Sequence, residues 1–148
     1  FYDVAHTAES ARALAESLGE LAPLADPAES AIVFGCLTGK PVERILDALA
    51  PLAHTLVVVR VRSERAVPGN ALRAAAAGRF PRIVEAPDAA AAVKLARAAT
   101  GPDGLTLVTG SDYLIGELMR PSGSTDEPDL SDPGSERTRP GRRPEVDR

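Results

Sequence analysis

AIVFGCLTGKPVERILDALAPLAHTLVVVRV, residues 31–61, decides the fold. It opens on Ala31-Ile32-Val33-Phe34, a continuous apolar run stopped by Gly35. Such a run suits a strand covered on both faces, because a strand with one wet face alternates instead. Pro41 suits the first turn of a helix, where its missing N–H is no loss. Val42, Ile45, Leu46 and Leu49 then give that helix one apolar stripe. Thr55 to Val61 is the most strongly β-forming stretch of the chain. Strand, helix and strand at this spacing make one βαβ unit, whose two strands run parallel.

Outward from that unit the pattern repeats. Phe1 to Ala5 reads as a short strand-like start, and residues 8–21 place Ala11, Leu14, Leu18 and Leu21 on one helical face. After Pro68, residues 69–77 read as a short alanine-rich helix. Arg82-Ile83-Val84-Glu85 reads as a fourth strand. Asp88 caps a helix over 89–99, closed by Gly101-Pro102. Leu105 to Thr109 is a fifth strand, and Ser111 caps a last helix over 112–119. The expectation is a three-layer, Rossmann-like α/β domain over 1–120, with a mostly parallel sheet and helices on both faces. Right-handed crossovers bring every loop that follows a strand to one edge of the sheet, the edge at which open α/β sheets bind ligands.

Composition narrows the function. The 148 residues carry 17 basic and 21 acidic side chains, a net charge of −4, which argues against a dedicated nucleic-acid binder. Aromatics are 3% and tryptophan is absent, so a base-stacking platform is not expected. No apolar run approaches the roughly 20 residues of a membrane helix, and no leader is evident at the start, so the expected location is the cytoplasm. The one cysteine, Cys36, excludes an internal disulfide and suits a buried structural thiol better than a nucleophile. Residues 121–148 hold five of the 13 prolines and only Leu130 and Val146 as sizeable apolar residues, the composition of a disordered tail. A chain opening on Phe1 reads as a fragment or a processed product.

The ligand edge gathers glycines and short polar residues: Asp3, His6 and Thr7 after the first strand; Gly35, Thr38, Gly39 and Lys40 after the second; Thr109, Gly110, Ser111, Asp112 and Tyr113 after the last. Three of these loops open helices, whose free N–H groups favour anions, and Lys40 adds a cation. A small carboxylate or phosphate ligand fits. Plainer readings stand beside this one: Thr7 and Ser111 as helix caps, Lys40 as a solvated cation, His6 as a structural histidine. Arg60, Arg62 and Arg65 read as an exposed rim, with Glu64 pairing locally between them. Residues 35–41 are no phosphate-binding P-loop: that loop needs four residues between its glycines and a hydroxyl after the lysine, and here there are three and Pro41.

Asp3-Val4-Ala5-His6-Thr7 resembles the Asp-x-Ala-His-Asn/Thr motif that opens the C-terminal domain of the folylpolyglutamate synthase/dihydrofolate synthase family, within the Mur ligase superfamily. Val33 to Pro41 resembles that family's second strand and loop, where Phe-Gly is followed by a lysine. Leu107 to Glu117 resembles its last strand and helix. The three motifs stand in the family's order and cover residues 1–120; the tail has no counterpart. Val4 stands where glycine is common and Thr7 where asparagine is more frequent.

The resemblance implies an ATP-dependent ligase that joins L-glutamate to a pteroate or folate through an acyl phosphate. It implies Asp3 and His6 on the nucleotide side and Thr7, Lys40, Ser111 and Tyr113 around the incoming glutamate. No residue here is expected to be catalytic in its own right or to bind metal. ATP and Mg2+ would be held mainly by an N-terminal ATPase domain that this chain lacks, so the chain alone is expected to be inactive. The alternative is a stand-alone, non-catalytic binding module of the same fold. A generic α/β partner domain with an unused polar edge is the third reading.

Overall fold

The computed structural model describes residues 1–22 and 24–120; the expected tail, 121–148, lies outside them. Five helices, α1 (Ala8–Leu21), α2 (Val42–Leu49), α3 (Gly69–Ala76), α4 (Ala89–Ala99) and α5 (Asp112–Met119), alternate with four strands, β1 (Ala31–Phe34), β2 (Thr55–Val59), β3 (Arg82–Ala86) and β4 (Thr106–Thr109). Two 3₁₀ turns, Pro27–Glu29 and Ala50–Leu52, were not legible in the periodicity. The sheet order is β3-β2-β1-β4, parallel throughout, with Ala31 opposite Thr55 on one side and Thr106 on the other.

Every residue of β1 and β2 is buried, which explains their unbroken apolar runs. Alternate side chains enter two cores. Ile32, Phe34, Leu56 and Leu107 pack with Leu18 of α1, Ile45, Leu46 and Leu49 of α2 and Leu72 of α3. Val33, Val57, Val59 and Val108 pack with Ala89, Ala92 and Ala96 of α4 and Leu114 of α5. The three-layer reading holds, with α1–α3 on one face and α4–α5 on the other. Small alanines on α4 let that helix lie close on the sheet, so a chain poor in aromatics still fills its core.

The expected first strand shrinks to a single parallel bridge between Tyr2 and Val108. Two bonds secure it: Asp3 N–H donates to the Val108 carbonyl and Val108 N–H to that of Phe1, each at 2.9 Å. Beyond the bridge the chain leaves the sheet, and the His6 ring Nδ1 lies 2.8 Å from the Val4 carbonyl oxygen. At the other end, β2 closes at Val59 rather than Val61, since Ser63 N–H turns back onto the Val61 carbonyl. Pro41 sits just ahead of α2 as its N-cap rather than inside the first turn.

Phe34 is fully buried at the centre of the sheet. Phe34→Ala is expected to lower unfolding stability by roughly 3–5 kcal/mol. Urea titration of this chain measures the loss, and a change under about 1 kcal/mol would contradict a central β1.

Candidate ligand edge

Parallel strands put the loops after Asp3, Phe34, Val59 and Thr109 along one edge. Succession runs β1, β2, β3 to one side and then returns to place β4 on the other side of β1. The crevice of such a sheet opens where the order reverses, between the ends of β1 and β4. Two glycines form its floor. Gly110 has φ +113°, and a Cβ there would meet the Gly35 carbonyl oxygen and the Phe34 ring, each at 2.7 Å. A Cβ on Gly35 would lie 2.6 Å from the Val59 carbonyl oxygen. The backbones meet too closely for side chains, so both positions require glycine.

The residues singled out in the sequence take consecutive places on this edge. Asp3 is half-buried on the outermost segment, its backbone fixed to β4. His6 is exposed, and its Nδ1 lies 2.8 Å from the Val4 carbonyl oxygen. A carbonyl only accepts, so Nδ1 carries the proton in this contact and Nε2 takes no part in it. Thr7 caps α1 through a reciprocal capping box with Ser10, which accounts for its hydroxyl. Ser111 is buried and caps α5, its Oγ accepting from Tyr113 N–H at 3.1 Å. The Tyr113 side chain is exposed. Two residues before Ser111, the buried Thr109 Oγ1 has no hydrogen-bond partner among the described residues.

Lys40 leads into α2. It is half-buried and lines a hollow of about 470 Å³ floored by Val42, Val67, Ala71 and Ala75, on the α2–α3 side of the edge. Its loop is braced from behind: Thr38 N–H donates to the Arg65 carbonyl at 2.7 Å, Val67 N–H to that of Cys36 at 3.0 Å, and Leu37 bridges Ala66 antiparallel. Cys36 itself is buried. Desolvation pushes its thiol up to about 11, and the nearby Lys40 ammonium pulls it partly back.

Arg60, Arg62 and Arg65 form the expected exposed rim, but the expected local pairing needs a correction. Arg62 does not pair with Glu64; its Nε lies 3.9 Å from Glu117 of α5, and its backbone N–H donates to the same carboxylate. Glu117 is only 12% exposed. The sequence carried a signal for it: Glu117 falls three residues after Leu114 and one before Leu118, on the apolar stripe of α5, where a carboxylate needs a donor.

Among curated proteins, none matches this sequence significantly. The family model described as Mur ligase, glutamate ligase domain, matches residues 1–112, and the chain belongs to that family. Folylpolyglutamate synthase of Mycobacterium tuberculosis, solved with ADP and AMPPCP, is 32% identical over 78% of this chain, with a TM-score of 0.68. That of Thermotoga maritima is 27% identical over 78% of it, with a TM-score of 0.61. The bifunctional folylpolyglutamate synthase/dihydrofolate synthase of Yersinia pestis shares the fold at 20% identity and a TM-score of 0.67. The chain spans 28%, 26% and 26% of the lengths of these proteins.

The Cys36 thiol is expected to resist disulfide reagents in the folded chain at pH 8 and to react at once in denaturant. Because its folded pKa of about 11 lies above the ordinary 9.0, its contribution to stability is complete below pH 9 and lost as pH rises towards 11. Rapid labelling of native protein at pH 8 would contradict the burial.

Proposed function

We propose that this chain is the glutamate-binding domain of an ATP-dependent ligase that joins L-glutamate to dihydropteroate or a folate. One observation carries the reading: a glutamate ligase family match over residues 1–112 coincides with 32% identity to a folylpolyglutamate synthase over 78% of the chain. In this reading Thr7, Lys40, Ser111 and Tyr113 surround the incoming glutamate, and Asp3 and His6 approach the nucleotide. A dicarboxylate asks for a cation and for oriented N–H and O–H donors, which Lys40 and the starts of α1 and α5 provide. The His6 ring and the half-buried Asp3 carboxylate offer polar partners suited to a nucleoside's hydroxyls. The domain acts by holding the glutamate amine in line with an acyl phosphate, a gain from positioning rather than from proton transfer.

ATP and magnesium are assigned to the portion of the ligase outside these 148 residues. Among the described residues, no three His, Cys, Asp or Glu side chains gather into a metal-ligand set. No helix among them is long and apolar enough to cross a membrane. The remaining partners are the folate substrate and the ATPase domain.

The 148-residue chain alone is expected to show neither ATP hydrolysis nor glutamate ligation, and addition of the ATPase domain to restore both. Turnover by the chain alone would overturn this division of labour. In the complete ligase, Lys40→Ala is expected to raise the glutamate KM roughly tenfold to a hundredfold, the cost of one charge-assisted contact, and to leave the ATP KM alone. Ser111→Ala acts in the same direction more weakly and also loses a helix cap, about 1 kcal/mol, which melting curves separate from binding. Asp3→Ala acts through the ATP constant. A rise in the ATP constant alone on Lys40→Ala would move that loop to the other ligand.

A further inference from the structure

The loop that follows β2 is held at both ends. At Arg62 its backbone N–H donates to the Glu117 carboxylate on α5. At Arg65 to Val67 it pairs with the Cys36–Thr38 segment, which leads directly into Lys40. Between these ends, Ser63 Oγ accepts from Arg65 N–H at 3.2 Å and Ala66 N–H closes a turn onto the Ser63 carbonyl. The helix that carries Glu117 also starts at Ser111, beside the Gly110–Gly35 contact. Two proposed glutamate-binding elements, the Lys40 loop and the start of α5, are therefore tied together through Arg62–Val67.

We infer that Glu117 is a positioning residue, which sets the Lys40 loop relative to the start of α5 by gripping the Arg62 backbone. The placement of carboxylate and partner supports this. Glu117 is nearly buried, whereas the Arg62 side chain is 80% exposed and its Nε stands 3.9 Å away. A charge pair so exposed contributes little, and a carboxylate that takes a backbone N–H inside the protein contributes more. The backbone bond is the grip, and the guanidinium is incidental. This role rests on the reading of Lys40 as a glutamate contact.

Two measurements test it. In the 148-residue chain, Glu117→Ala is expected to speed amide exchange at Arg62 and Thr38 on the order of tenfold while Val57 and Val58 in β2 keep their rates. In the complete ligase the same variant is expected to raise the glutamate KM about threefold to tenfold, with kcat and the ATP KM within about twofold. Glu117→Gln keeps an oxygen acceptor and is expected to recover most of both effects. Arg62→Ala keeps the backbone donor and is expected to be nearly silent. Should Glu117→Ala fold poorly, Glu117→Asp, which keeps the charge but shortens the reach, gives the same pattern. Uniform acceleration of all amides, unchanged exchange at Thr38, or an Arg62→Ala effect equal to that of Glu117→Ala would overturn the positioning role. If exchange rises locally but the ATP KM moves instead of the glutamate KM, the grip stands and the glutamate reading of Lys40 falls.

Discussion

The ends of β1 and β4 meet at two glycines, Gly35 and Gly110. Gly110, at φ +113°, leaves no room for a side chain against the Gly35 carbonyl and the Phe34 ring. The start of α5 and the loop that leads to Lys40 both leave the sheet from that approach. Ser111 follows Gly110 and starts α5, while Cys36 to Lys40 follow Gly35 and lead to α2. The contact lies at the reversal of strand order, where two neighbouring strands send their helices to opposite faces and the chain must part. A cleft opens there because the helices diverge, and its floor is tight because glycines line it.

Much of this was legible because the strands are covered on both faces. Ala31–Phe34 and Thr55–Val59 are apolar without interruption, and the stripe Val42, Ile45, Leu46, Leu49 can be only a helix. Caps at Thr7, Asp88 and Ser111 fixed three helix starts through local hydrogen bonds that sequence alone encodes. What stayed hidden depends on partners distant in the chain. The outermost segment keeps a single bridge, from Tyr2 to the far end of the domain at Val108, and Arg62 reaches Glu117 across 55 positions in preference to its neighbour Glu64. At the site, sequence order assigned residues to an edge, but it did not reveal that Lys40 opens towards the α2–α3 hollow while Ser111 and Thr7 are engaged as caps.

The side chains of the edge share a property. Thr7 and Ser111 spend their hydroxyls on their own helices, and Cys36 is sealed by desolvation. In the proposed reading, what meets a ligand is the Lys40 ammonium, the His6 ring, the Asp3 carboxylate, the exposed Tyr113 and the N–H groups at the starts of α1 and α5. These are fixed charges and dipoles, ready before a ligand arrives, and such groups cost no reorganisation when it does. Under the proposed function, that suits a domain that orients one substrate while the reactive chemistry is generated elsewhere.

The register of β1 has a consequence for synthesis. Its partner on one side, β2, begins 24 positions after it at Thr55, but the partner on its other side, β4, begins 75 positions after it at Thr106. A chain emerging from the ribosome can therefore pair β1, β2 and β3 well before β4 exists. Throughout that interval the edge of Ile32, Val33 and Phe34, destined for the middle of the sheet, presents unpaired donors and acceptors among apolar side chains. Such an edge recruits any other extended chain, including a second nascent copy. The order of strands that creates the ligand cleft thus makes the central strand the last to be closed, and the hazard of aggregation is greatest while the cleft is still half-built.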